Sequence, residues 1–217
     1  MKLALATLIA ILGIHGGSTT CAPVTTQENF SLTSYINGTW YIHQQAPIAY
    51  LPESQNYCVK AQYNLFNDPT FWGYSVEVNN YAEDVDGNSY GGKLCAIPDK
   101  KSRDPAKLKV APCFLPKFTA GPYWVIAYDE SKGYALVSGG QPTIDTGNGC
   151  VSGDGVNNSG LWVFLRSRER DEAAIAEVRD IASAQGFDLS ILNDVNQTNC
   201  ERGDETKEEW GGPTTVI

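Results

Sequence analysis

"PYWVIAYDESKGYALVSGG", residues 122–140, holds two apolar runs on either side of a charged turn. The runs are rich in Val, Ile, Tyr and Trp, which suit a pleated, half-buried surface, and "DESKG" supplies the Asp, Ser and Gly of a tight turn. The stretch reads as an antiparallel hairpin. The same pattern extends in both directions. Upstream lie "GTWYIHQQAPI", "YCVKAQYNLF", "FWGYSVEVNNY", "SYGGKLCAI" and "AKLKVAPCFL"; downstream, "LWVFLRSR" completes eight runs between residues 38 and 167, with breaks such as "NDPT" and "DVDGN". Eight short strands in succession predict an antiparallel meander. A sheet of that size splits into a sandwich or closes into a barrel, and closure removes its exposed edges.

After the eighth run the period changes. In "DEAAIAEVRDIASAQG", Ala174, Ile175, Val178, Ile181 and Ala182 share one helical face, Asp171 and Glu172 stand at the start, and Gly186 follows the end. One such helix has one apolar stripe to bury, against the outside of the sheet. "QPTIDTGNGCVSGDGVNNSG", residues 141–160, is longer than an ordinary hairpin loop. The tail, residues 201–217, shows no periodicity and reads as disordered.

The ends and the composition narrow the function. Lys2, the apolar "LALATLIAILGI" and the small residues "GGSTT" follow the order of a secretory signal peptide over residues 1–20. The apolar run is shorter than a membrane span requires. The chain carries 16 basic and 25 acidic residues, and loss of Lys2 takes the net charge from −9 to −10. Such a surface repels phosphate backbones, so no nucleic-acid partner is expected. Six cysteines, Cys21, Cys58, Cys95, Cys113, Cys150 and Cys200, fit up to three disulfides in an oxidising compartment, with fifteen pairings open. None forms a C-x-x-C pair, so no zinc cluster is expected. Sequons stand at Asn29, Asn37, Asn157 and Asn196 and permit glycosylation in a eukaryotic host.

Three separated motifs then coincide: Gly38-x-Trp40 opening the first strand, "AYDESKGYALV" with Asp129 across the sixth and seventh, and Arg166 ending the eighth. That set resembles the lipocalin family. The segments "CAPVTTQENF", "DPAKLKV", "PYWVIAYD" and "NDVNQTNC" resemble its apolipoprotein D, insect bilin-binding protein and bacterial lipocalin branch, over residues 21–200. The resemblance implies an all-β fold, an eight-stranded antiparallel up-and-down barrel with one C-terminal helix packed outside. It implies that Trp40 plugs the closed end with Arg166 across its indole, a contact worth roughly 0.5–2 kcal/mol. It also implies the disulfides Cys58–Cys200 and Cys21–Cys150, although Cys150 lies further beyond "YALV" than the family pattern has it. Cys95 and Cys113 remain, placed almost symmetrically about the "DKKSRDP" turn, where a cross-strand bridge would staple the hairpin.

The implied function is carriage of a small hydrophobic molecule, a lipid, sterol, retinoid, carotenoid or bilin, with no cofactor. Alternation along the strands gives candidate barrel-lining residues: Val59, Ala61 and Tyr63; Val76, Val78 and Asn80; Trp162 and Phe164. Asn80 offers an orienting hydrogen bond, and a one-residue slip of register would turn each set outwards. The loops "AYLPESQN" and "AEDVDGN" are expected at the open mouth, where "AYL" offers a contact patch for a membrane or receptor.

Catalytic readings are weaker. Without residues 1–20 the chain has one histidine, His43, expected on the face opposite Ile42 at the surface or rim, and no G-x-S-x-G elbow accompanies it. "IDTG" at 144–147 is a single copy in a Gly-rich loop, "DVDGN" fits an Asp-Gly turn better than a calcium loop, and the RGD at 202–204 lies in the tail. Two alternatives to carriage stand: a lipocalin-fold enzyme resembling violaxanthin de-epoxidase, acting on an epoxy-carotenoid, and an interaction module whose barrel is filled by its own aromatics.

Overall fold

A computed structural model describes residues 21–200. The expected signal peptide and the expected disordered tail with its RGD lie outside the described residues. One helical turn, α1 (Leu32–Tyr35), capped by the Ser31 side chain, precedes strand β1 (Thr39–Gln45). Gly38 joins the two at φ +101°, a left-handed conformation that an L side chain rarely adopts. Seven further strands form the meander: β2 (Tyr57–Leu65), β3 (Val76–Glu83), β4 (Ser89–Pro98), β5 (Lys107–Pro112), β6 (Gly121–Asp129), β7 (Tyr134–Ser138) and, after the long loop, β10 (Leu161–Leu165). Each pairs antiparallel with the next, and β1 pairs with β10 through Tyr41–Leu165 and Ile42–Phe164. The sheet therefore closes. The long loop contains a small hairpin of its own, β8 (Ile144–Asp145) and β9 (Cys150–Val151).

Two layers of apolar packing follow from alternation. Inward side chains, among them Ile42, Val59, Val78, Val125 and Phe164, form the barrel core. Outward residues of β7 and β10, including Leu136, Val163 and Leu165, meet helix α2 (Glu172–Ala184) through Ile175, Val178 and Ala182. The Asp171 side chain accepts from the amides of Ala173 and Ala174, and Gly186, at φ +81°, ends the helix.

The structure corrects the expected elements in three places. The run "FWGYSVEVNNY" does not start as a strand: residues 70–74 turn, with Thr70 N donating to Tyr74 O and Gly73 N to Thr70 O, and the strand begins at Val76. The Trp72 indole is drawn outwards by a hydrogen bond to Phe114 O at 3.0 Å. Second, β1 pairs with β2 only from Thr39 to Tyr41. Beyond that point the strands splay, and strand β11 (Asn193–Asp194) pairs with Gln44 and Gln45 while Asn196 O accepts from Cys58 N. Gln197 Nε2 donates to both Ile42 O and Val59 O at 2.8 Å, bridging the gap. The wall of eight strands is thus completed by a segment from after the helix. Third, His43 is fully buried rather than at the surface or rim. The β1–β10 register slips between Ile42 and Gln44, and the imidazole Nε2 bonds Ser167 O at 2.9 Å, under residues 167–170 and 194–198. Burial lowers its pKa.

Cys21–Cys150, Cys58–Cys200 and Cys95–Cys113 are the disulfides, with Cα atoms 5.8, 5.3 and 4.9 Å apart.

Candidate functional site

The site is the barrel interior, and its floor is built first. Trp40 has no solvent exposure. Its ring is packed by Tyr35, Tyr128 and Phe164 at centroid distances of 5.4, 6.0 and 6.1 Å, and its Nε1 donates to Tyr35 O at 2.8 Å. The Arg166 guanidinium carbon lies 3.7 Å from the indole centroid, and Nη2 donates to Ser34 O, Tyr35 O and Glu130 Oε2, each at 3.1 Å. Asp129 sits in the adjoining turn, where its Oδ1 accepts from the amides of Ser131 and Lys132. This end is sealed by aromatic rings, with a cation on the far side of the plug.

Above the floor the register settles which residues face inwards. Ala61, Asn80 and Gly92 stand opposite one another across β2, β3 and β4, as do Tyr63, Val78 and Leu94. Paired residues share a face, and Val59, Ala61, Tyr63, Val76, Val78 and Phe164 all belong to the inner core, with Trp162 packed against it. Asn80, between Val78 and Ala82 on β3, shares that face. Trp162 pairs with Gln45, which is 1% exposed; Gln45 Nε2 donates to Asn56 Oδ1 at 2.7 Å, and its Oε1 has no partner. Gly160 is the close neighbour that seats Trp162, since a Cβ there would fall 2.2 Å from the indole.

Tyr63 is not alone. Its hydroxyl bonds that of Tyr123 at 2.8 Å, and Tyr123 bonds Tyr35 at 2.5 Å. Three phenols thus meet beside an enclosed cavity of about 10 Å³, walled by Val76, Val78, Ala96 and Leu108. Burial holds Tyr63 up to about 12 and raises Tyr35 and Tyr123 well above the usual phenol value, so all three are neutral at physiological pH. Tyr123 and Tyr35 were not among the sequence candidates. Tyr123 alternates with Val125 in "PYWVIAYD" and could have been found that way; Tyr35 lies before the first strand, where no period points inwards.

No family model matches the chain. Mouse apolipoprotein D is 29% identical over 187 residues, spanning 86% of each chain. Temperature-induced lipocalin-1 of Arabidopsis thaliana is 28% identical over 75% of this chain and 77% of its own. Insecticyanin from the tobacco hornworm Manduca sexta superposes with a TM-score of 0.55 at 16% identity, over 81% of this chain and 85% of its own. The chain has the lipocalin fold.

In this barrel the inner face opens towards the ends of β1, β3, β5 and β7. Inward residues near the floor are sealed, whereas Asn80, Gly92, Leu94, Val110, Tyr123 and Trp162 keep partial exposure. Side chains between these are small: Ala61, Ala82 and Gly92. The loops at the open end expose Tyr50, Val85, Phe114, Phe118 and Val156, an apolar rim that includes the expected Tyr50 patch. Above Trp40, the inner strand positions described carry no charged side chain. "IDTG" forms the outer hairpin β8–β9, where Asp145 Oδ1 accepts from Gly147 N, and "DVDGN" is a turn closed by Asp84. Among the described residues no group of three or more His, Cys, Asp or Glu side chains could hold a metal.

Proposed function

We propose that this lipocalin-fold protein is a secreted carrier of a small hydrophobic molecule, held without covalent bonds inside the barrel. The observation that carries the reading is the inner face: uncharged and mostly apolar above Trp40, with a few neutral polar groups, sealed at one end and increasingly exposed towards the other. Burial of apolar ligand surface, at roughly 25 cal/mol per Å² before ordering costs, would drive binding. The eight lining candidates and Gln45 would form the wall, with Trp162 near the mouth. The three disulfides fit an oxidising compartment. The apolar rim would meet a membrane or receptor during loading. The reading contains no chemical step, and the likeness to apolipoprotein D supports it.

One observation favours a second reading. The enclosed cavity at the tyrosines is only about 10 Å³, as a barrel filled by its own aromatics would have. Protein purified from its native source separates the two. An absorption spectrum, followed by solvent extraction and mass spectrometry, should yield a stoichiometric apolar compound. An empty extract, together with no rise in melting temperature on adding lipids, sterols or retinoids, would leave the filled barrel; a ligand at one hundred times its Kd stabilises by about 2.7 kcal/mol.

A further inference from the structure

We propose that the hydroxyl cluster of Tyr35, Tyr63 and Tyr123 is the polar end of the binding site, and that it selects ligands ending in a neutral oxygen, hydroxyl or carbonyl, over ligands ending in a carboxylate. The inference rests on the carriage reading and adds the chemical class of the cargo.

Proton bookkeeping is the first argument. Three phenols bring three O–H protons; Tyr123 bonds both Tyr35 and Tyr63, and those two interact with each other as well. A ring of three bonds uses every proton and still leaves each oxygen a lone pair, and opening one bond of the ring frees a donor as well. Unpaired lone pairs in a buried cluster are costly, so the cluster favours an incoming hydroxyl that donates to one, or a carbonyl that takes the proton of an opened ring. The cavity touching all three rings has the volume of about one small oxygen group.

Charge is the second argument. An ionised carboxylate here would be desolvated against Val76, Val78, Leu108 and Val110, with no ammonium or guanidinium on the inner face above Trp40. Arg166 stacks on the Trp40 ring and is already bonded to Ser34 O, Tyr35 O and Glu130. The raised phenol pKa values point the same way: this is a place where negative charge is disfavoured. Access comes from the mouth side, where Tyr123 and Val110 keep partial exposure.

The test uses the disulfide-bonded mature protein and four matched probes: dodecan-1-ol, dodecan-2-one, dodecanoate and dodecane, titrated calorimetrically at neutral pH. The alcohol and ketone should bind about tenfold more tightly than the carboxylate. Tyr123→Phe should weaken alcohol binding about fivefold more than dodecane binding, the effect of one neutral hydrogen bond. Tyr63→Phe gives a second reading should Tyr123→Phe lower the melting temperature. Dodecanoate binding as tightly as the alcohol, or a preference surviving both Phe variants, would overturn the assignment. If all four probes bind alike, carriage stands and the tyrosine assignment falls; if none binds, carriage falls and takes the assignment with it.

Discussion

Replacing Arg166 with alanine tests the account of the closed end. The guanidinium stacks at 3.7 Å on an indole with no solvent exposure, which places the cation–π contact near the upper end of its range, about 2 kcal/mol. Its hydrogen bonds are unequal. Tyr35 O keeps the Trp40 Nε1 donor, so losing Nη2 there costs little, whereas Ser34 O loses a charged donor worth about 1–1.5 kcal/mol. Glu130 is half exposed and its ion pair contributes at most a few tenths. The expected loss is about 3 kcal/mol, or roughly 6–12 °C in melting temperature for a domain of this size. Urea unfolding followed by circular dichroism reads it, with Glu130→Gln as a control expected within about 0.5 kcal/mol of the parent. Arg166→Lys should recover only part, since an ammonium on a flexible stem restores charge but not the flat stack. Ligand affinity should stay near the parent value, because the guanidinium lies beyond the plug. A loss below about 0.5 kcal/mol for Arg166→Ala would refute the reasoning, and parity of Arg166→Lys with the parent would show that planarity is not used.

Trp162→Ala should weaken binding of the extracted ligand with little change in unfolding midpoint, as Trp162 keeps partial exposure; unchanged affinity would remove it from the wall. Absorbance titration of phenolate should leave Tyr35, Tyr63 and Tyr123 neutral past pH 11. Because their folded pKa values lie above the unfolded one, stability should hold below about pH 10 and fall as pH rises towards 12; early ionisation of all eleven tyrosines would contradict their burial. Opening Cys95–Cys113 with paired serines should cost about 3 kcal/mol, from the closure entropy of its sequence separation of 18. Opening Cys58–Cys200 should raise amide exchange first at residues 42–45, 57–59 and 193–197; uniform exchange across the barrel would show that the seam is not a separate weak point.

The barrel was legible because its strands alternate. Tyr63 and Val78, or Trp162 and Phe164, can be assigned to one face by counting in twos; eight strands leave a sandwich or a barrel, and the family resemblance implies the barrel. What could not be read arises from departures from that period. The slip at His43 flips one residue out of the β1–β10 count, so counting from Ile42 gave the outer face correctly but not the cover supplied by residues 167–170 and 194–198. The splaying of β1 from β2 depends on Gln197, a residue some 150 positions distant from Ile42 in sequence, bonding two strands at once. The site was only half legible for the same reason. Tyr63 was found alone because its partners come from β6 and α1, and nothing local to either indicates that three hydroxyls converge.

Two of the three covalent links lie where the hydrogen-bond ladder is interrupted. Between β1 and β2 the ladder stops after Tyr41, and the filling segment is held by a few bonds from Asn196 and Gln197; Cys58–Cys200 ties that segment to β2 at the gap. The long mouth loop has two-residue strands, β8 and β9, and bonds from Cys150 to Gly186 and Asp188 to order it, and Cys21–Cys150 ties it to the N-terminal segment. At the closed end, by contrast, packed rings and a stacked guanidinium give order without a cross-link. A barrel arranged in this way fixes its shape from the floor and the seam. The small residues Ala61, Ala82 and Gly92 towards the mouth are then free to set the width of the lumen, and the three hydroxyls at the floor to set which end of a ligand goes down.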